Sequence, residues 1–114
     1  VGHSGAAKAG VLNLTRTLAL EWASDNIRVN ALCPGVVLTE NVRQNLMLDE
    51  NTAKNFENYI PMGGITNSEK MAQQVLYLCS PAADVITGDM LIADGGQWLV
   101  GNAFYQMGKN FLDE

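Results

Sequence analysis

The sequence is short of positive charge. Seven Lys and Arg stand against twelve Asp and Glu, for a net charge of −5. No basic field is therefore available to draw in phosphate backbones, and nucleic-acid binding is disfavoured. Cysteine is scarce as well. Cys33 and Cys79 lack C-x-x-C spacing and sit in apolar runs, which reads as two small core residues of a reducing compartment, not a disulfide or a metal pair. The single histidine, His3, is given no role, and the sequence offers neither a carboxylate pair nor metal-ligand spacing. Nowhere does an apolar run approach the ~20 residues that span a bilayer. A secretory signal pattern, an internal repeat and a low-complexity segment are all missing from the sequence.

What is present is a chain of 114 residues, 47% apolar and 17% charged. That balance fits one well-buried globular domain, or part of one, and argues against disorder. The first residue is not Met, so the start is expected to be cut from a longer chain, with any targeting peptide outside view.

The hydrophobic pattern predicts a helix over 4–23. Val11, Leu14, Leu18 and Trp22 form one apolar stripe and Leu12, Ala19 and Ala23 a second. A helix apolar on two sides needs two partners: a sheet and, on the other side, a second subunit. Ser4 is placed to cap its start and Asn26 marks its end. Ile27 to Cys33 reads as a buried strand stopped by Pro34–Gly35. From there to about Thr66 the pattern loosens, and so long an excursion inside a compact domain is expected to be a functional lid. A second helix follows in "TNSEKMAQQVLYLCS". Thr66 with Glu69 has capping-box spacing, Asn67 is an equal candidate for the cap, and Ala72, Val75, Leu76 and Cys79 share one face. Pro81 enforces its stop, and Met90 to Ala93 makes a short strand ending at Gly95–Gly96. Two apolar strands joined through a helix imply a parallel pair with a crossover. Since two strands cannot cover two helices, the chain is expected to be half of a doubly wound α/β domain.

Three blocks in order, "HSGAAKAGVLNLTRTLALEWA", "IRVNALCPGVVLT" and "ITGDMLIADGG", resemble the C-terminal half of the short-chain dehydrogenase/reductase family over about residues 3–98. The resemblance implies a Rossmann-type parallel sheet that binds NAD(H) or NADP(H). Residues 1–114 would then be the C-terminal part of a single nucleotide-binding domain, with a substrate lid at about 36–66. The front half of such a domain carries a glycine-rich loop at a helix N-terminus that receives pyrophosphate. No G-x-x-x-G-x-G run occurs here, so the isolated piece is expected to bind NADPH weakly or not at all.

The family usually carries Tyr-x-x-x-Lys on the first helix. Lys8 keeps the lysine place, and Ser4 stands where the tyrosine would be. An aliphatic hydroxyl orients and hydrogen-bonds but is a poor proton donor beside a phenol, which puts ordinary alcohol or ketone turnover in doubt. The wording "HS-x-A-A-K-A-G-V-L-x-L-T-R-T-L-A" with "DGGQWL" resembles the 2,4-dienoyl-CoA and trans-2-enoyl-CoA reductases, a subgroup with serine at that place. The resemblance implies hydride delivery from NADPH, with NADH not excluded, to a conjugated acyl-CoA thioester. Ser4 would donate to the thioester oxygen, and Lys8 would bind the nicotinamide ribose and favour the developing enolate. Any tyrosine acid would come from upstream of residue 1.

Pro34, Gly35 and Thr39 match the family's P-G-x-x-x-T, at the strand end where open α/β sheets bind ligands. By resemblance, Gly35 permits close approach, the Val37 backbone meets the nicotinamide carboxamide, and Thr39 bonds the amide or the pyrophosphate. Val42, Leu46, Met47, Phe56, Tyr59 and Met62 are candidates to line an acyl channel. Two alternatives stand beside this reading. One is a reductase of the same family acting on a 3-oxoacyl thioester, a sugar or an alcohol, and the other is a non-catalytic assembly surface. A homo-tetramer is implied by resemblance. The ending "LDE" is not a peroxisomal address, so a cytoplasmic location is expected, or a mitochondrial one if a presequence has been lost.

Overall fold

The computed structural model describes residues 2–35, 37, 39, 58, 60–64 and 66–99, with residues 2, 4 and 5 described by their backbone. The chain divides into two compact units, Val1–Cys33 with Gln73–Ile92, and Pro34–Ala72 with Ala93–Glu114.

The first unit opens with helix α1, Gly2–Trp22, which continues as a 3-10 turn over Ala23–Asp25. Asn26 ends it in the left-handed conformation, φ 59° and ψ 36°. Its N–H donates to the Ala23 carbonyl at 3.0 Å, and that of Ile27 donates to the Trp22 carbonyl at 3.2 Å. This is the paired pattern that closes helix C-termini, and asparagine tolerates the positive φ it demands. Because helical backbone begins at Gly2, Ser4 lies inside the first turn and not at the cap expected for it.

Of the two stripes on α1, the second faces inward. Ala19 is buried and Leu12 half-buried, whereas Val11, Leu14 and Trp22 are exposed and Leu18 is half-buried. Ala23 departs from its stripe and is exposed. Thr15 is buried between the inward residues, and its hydroxyl donates to the Val11 carbonyl at 2.8 Å, so its polar atom is satisfied within the helix.

The strand expected from Ile27 begins at Ala31. Before that point side chains replace the ladder: the Val29 N–H donates to Thr87 Oγ1 at 3.1 Å, and Asn30 bridges the Ile86 carbonyl (2.9 Å) and the Asp89 N–H (3.0 Å). Arg28 adds a bond to the same Ile86 carbonyl at 3.2 Å. Strand β1, Ala31–Pro34, then pairs with β2, Met90–Ala93. The Ala31 N–H meets the Asp89 carbonyl at 2.9 Å and the Gly35 N–H meets that of Ala93 at 3.2 Å. Both partners advance by the same four residues, which is a parallel register. The strands are half-buried, with Pro34 exposed, and not fully buried as expected, since the two strands among the described residues cover little of their own surface.

Helix α2, Ser68–Cys79, connects them. Asn67 is its cap: Oδ1 accepts the Lys70 N–H at 2.9 Å. The capping-box alternative fails because Thr66 lies one residue too early and is held instead in a parallel bridge with Val37. In the first unit, Val75, Leu78 and Cys79 border a hollow of about 250 Å³ shared with Arg28, Asn30 and Leu32. The expected apolar face therefore borders this hollow through Val75 and Cys79 without close packing, and both stay exposed. Leu76 is exposed as well, and Cys79 is not the core residue expected. The helix stops before Pro81, which opens a 3-10 turn that buries Ala83.

Candidate functional site

The second unit contains a cavity of about 300 Å³ at the carboxyl ends of the parallel pair, bordered by Gly35, Ala93, Asp94 and Gly95 on one side and Ile60, Met62, Gly63 and Gly64 on another. Thr66, Asn67 and Lys70 complete its lining. Open α/β sheets bind ligands at this edge, because strand ends and helix starts leave backbone groups unpaired there.

Gly35 is set by its neighbour across the sheet. A Cβ on Gly35 would stand 2.8 Å from Asp94 Cα and 2.8 Å from Asp94 Cβ, so only glycine fits between the strand ends. Asp94 is fixed in turn. Its Oδ1 accepts the Gly96 N–H at 2.9 Å and its Oδ2 accepts the Trp98 N–H at 3.0 Å, capping the 3-10 turn Gln97–Leu99. Gly95 follows with φ +67°, and its carbonyl accepts the Met62 N–H at 3.0 Å.

The expected site residues fall in both units. Lys8 is exposed on α1 in the first, and Ser4 occupies the same helix one turn earlier. Helical spacing of four puts them on one face by register, while the Ser4 side chain lies outside the described residues. Pro34, Gly35, Val37 and Thr39 belong to the second unit. Pro34 is exposed at the end of β1, and Gly35, Val37 and Thr39 are half-buried. Of the expected channel residues, Val42, Leu46, Met47, Phe56 and Tyr59 lie outside the described residues, and Met62 lines the cavity. Ile60 and Asp94 were not singled out as site residues by the sequence. The signal that pointed their way was "ADGG", which reads as a strand end and a turn but names no partner.

Three features of the second unit bear on the nicotinamide nucleotide that the resemblance implies. The unit has a strand end with no side chain at Gly35, a backbone segment at Val37 already held by Thr66, and a cavity alongside. The donor set expected for the ribose, Lys8, is a solvent-exposed ammonium in the first unit.

Comparison with known proteins bears on the same residues. A family profile described as enoyl-(acyl carrier protein) reductase matches residues 1–97. A probable 2,4-dienoyl-CoA reductase [(2E)-enoyl-CoA-producing] of Bacillus subtilis (strain 168) is 44% identical over 100 residues, covering 87% of this chain and 39% of that protein. A tropinone reductase homolog of Arabidopsis thaliana is 42% identical over 100 residues, covering 88% of the chain and 37% of the relative. Among solved structures, a putative 2-deoxy-d-gluconate 3-dehydrogenase from Agrobacterium tumefaciens with bound NADP superimposes with a TM-score of 0.74 at 41% identity. It covers 83% of this chain and 38% of that one. The chain thus spans less than half the length of the relatives it matches. Matched through its first helix, both strands and the turn that follows them, the chain belongs to the short-chain dehydrogenase/reductase family.

Proposed function

We propose that the protein carrying this chain is an NADPH-dependent reductase of conjugated unsaturated fatty acyl-CoA, a 2,4-dienoyl-CoA or trans-2-enoyl-CoA thioester, serving the auxiliary steps of fatty-acid β-oxidation. One observation carries the reading: serine stands at position 4, where the family usually has tyrosine, while Lys8 is retained. The likeness to a probable 2,4-dienoyl-CoA reductase supports it.

The nucleotide, when bound, supplies the hydride. What this chain contributes is binding and charge. Conjugate reduction of a thioester moves negative charge onto its oxygen, so the site needs hydrogen-bond donors more than a base that handles alcohols. Ser4 would donate to that oxygen, and the Lys8 ammonium would hold the ribose hydroxyls and favour the enolate. The proton that completes the reduction would come from a separate acid, since an aliphatic hydroxyl is a poor proton donor. Pro34, Gly35, Val37 and Thr39 would hold the nicotinamide end, the amide against the Val37 backbone and Thr39. Segment 60–64, with Met62 on the cavity, would form the acyl side.

The test is to give the protein NADPH with a 2,4-dienoyl-CoA, and separately with ketones, and follow nucleotide oxidation. Turnover of the dienoyl-CoA alone is expected; turnover of ketones alone rejects the reading. A second reading, a carbonyl reductase of the same family, is favoured by the 42% identity to a tropinone reductase homolog, and the ketone arm decides it. NADH is tested beside NADPH. By family resemblance the protein assembles as a homo-oligomer, a tetramer, with the outward stripe of α1 as a contact. We place it in the cytoplasm or the mitochondrion. No helix among the described residues is long and apolar enough to cross a membrane.

A further inference from the structure

We infer that Asp94 is a positioning residue for the acyl side of the site, holding segment 60–64 in place through the turn Asp94–Gly95–Gly96. The inference rests on the reductase reading above and gives Asp94, which borders the cavity, a role exerted through the segment it holds.

Both carboxylate oxygens of Asp94 are committed to backbone donors, Oδ1 to Gly96 N–H at 2.9 Å and Oδ2 to Trp98 N–H at 3.0 Å, and its carbonyl accepts the Gln97 N–H at 3.4 Å. These bonds bend the chain as it leaves β2 and set Gly95 at φ +67° and Gly96 at φ +91°. The Gly95 carbonyl then accepts the Met62 N–H at 3.0 Å, and the Gly63 N–H closes onto the Ile60 carbonyl at 2.8 Å. Side chains seal the same contact. The place of a Cβ on Gly95 is taken by Ile60 Cγ2, 2.6 Å from it, and that of a Cβ on Gly96 lies 3.4 Å from the Pro61 ring. Ile60 is the buried residue of the segment, and Met62 is exposed along the cavity. On its other side Asp94 fills the space that a side chain on Gly35 would need. Asp94 thus sets the distance between the Pro34–Gly35 turn and the wall carrying Met62, its Cα and Cβ standing against Gly35 and its carboxylate holding the turn whose Gly95 carbonyl accepts the Met62 N–H. A capping role confined to Gln97–Leu99 would leave that distance untouched.

The test is Asp94→Asn in the protein that carries this chain. Asparagine keeps the size and one carbonyl oxygen but turns an NH₂ towards one of the two N–H donors. The loss of one bond to a charged acceptor corresponds to about a tenfold change. We expect KM for the acyl thioester to rise about tenfold, with kcat and the nucleotide dissociation constant within about twofold of the parent. Hydrogen exchange at the Met62 amide should accelerate by about the same tenfold factor. A fall in kcat with KM unchanged, the mark of less folded protein, overturns the inference, and so does an unchanged KM with unchanged exchange. Should Asp94→Asn fail to fold, Asp94→Ser, which retains one short acceptor for the turn, is read by the same two measurements. If the parent protein turns over no acyl-CoA, the reductase reading fails. Exchange at Met62 then decides the clamp alone: faster exchange in the variant sustains it and equal exchange overturns it.

Discussion

Replacing Gly35 with alanine sets two opposed effects against each other, and the structure says which wins. Gly35 does not have a positive φ, so alanine can adopt its backbone, and a compatible Gly→Ala change stabilises by about 0.4–1 kcal/mol through the unfolded chain. Against this, the new Cβ would lie 2.8 Å from both Asp94 Cα and Asp94 Cβ, and 3.3 Å from the Asp94 carbonyl oxygen. Carbon atoms rest about 3.5–4.0 Å apart, so Asp94 would have to retreat by most of an ångström. It has little freedom to do so, because its side chain is bonded to Gly96 and Trp98 and its backbone follows directly from β2. Overpacking of this kind costs about 1–3 kcal/mol, leaving a net loss of about 1–2 kcal/mol. Urea unfolding of the protein carrying this chain measures it as a lowered midpoint at constant slope. Gly10→Ala is the control, since a Cβ there meets nothing within 4 Å and mid-helix glycine is worth about 1 kcal/mol less than alanine. A Gly35→Ala protein as stable as its parent would refute the close approach of the two strand ends, and with it the geometry of the candidate site.

Two further outcomes follow from the same contacts. Asn67→Ala removes the acceptor of the Lys70 N–H and should lower stability by about 1 kcal/mol in urea, while Asn67→Asp keeps the acceptor, adds charge at a helix N-terminus and should lose nothing. Lys8→Met should lower kcat/KM by about a hundredfold or more if its ammonium serves the reaction. Because Lys8 is exposed, the urea midpoint should stay where it is.

What the sequence made legible was local. The close of the first helical run at Asn26 and the stop before Pro81 each rest on one residue whose backbone preference allows little else. The start of β1 was overextended by four residues because Arg28, Val29 and Asn30 look like strand. Yet their partners are the loop groups of Ile86, Thr87 and Asp89, far along the chain. The choice between Thr66 and Asn67 as cap was open for the same reason, since the bridge from Thr66 to Val37 is a tertiary fact. In the candidate site, Gly35 was picked out as a place of close approach, but nothing in its neighbourhood names Asp94 as the group that approaches. Where α2 borders an unfilled hollow, periodicity indicated the side and not the packing.

The two stripes of α1 show why size, more than hydrophobicity, selects the face a helix turns to its own unit. Ala19 is buried where a Cβ on Gly88 would come within 3.4 Å of it, and Thr15, one turn earlier, is buried with its hydroxyl bonded back to Val11. A leucine at either position would hold the helix further out, so the small residues go in and Val11, Leu14 and Trp22 are left outside. Their outward placement is therefore a consequence of close packing on the other side, and it leaves apolar surface worth about 1 kcal/mol for each such half-exposed side chain once covered. If a second copy covers it, as family resemblance implies, Leu14→Glu should place a charge in that contact. Sedimentation of the protein carrying this chain should then show a smaller assembly, while the inward face, and the urea midpoint measured at a concentration where the parent is already dissociated, stay as they were. An unchanged mass would mean that Leu14 lies outside the subunit contact, and the outward stripe would need another explanation.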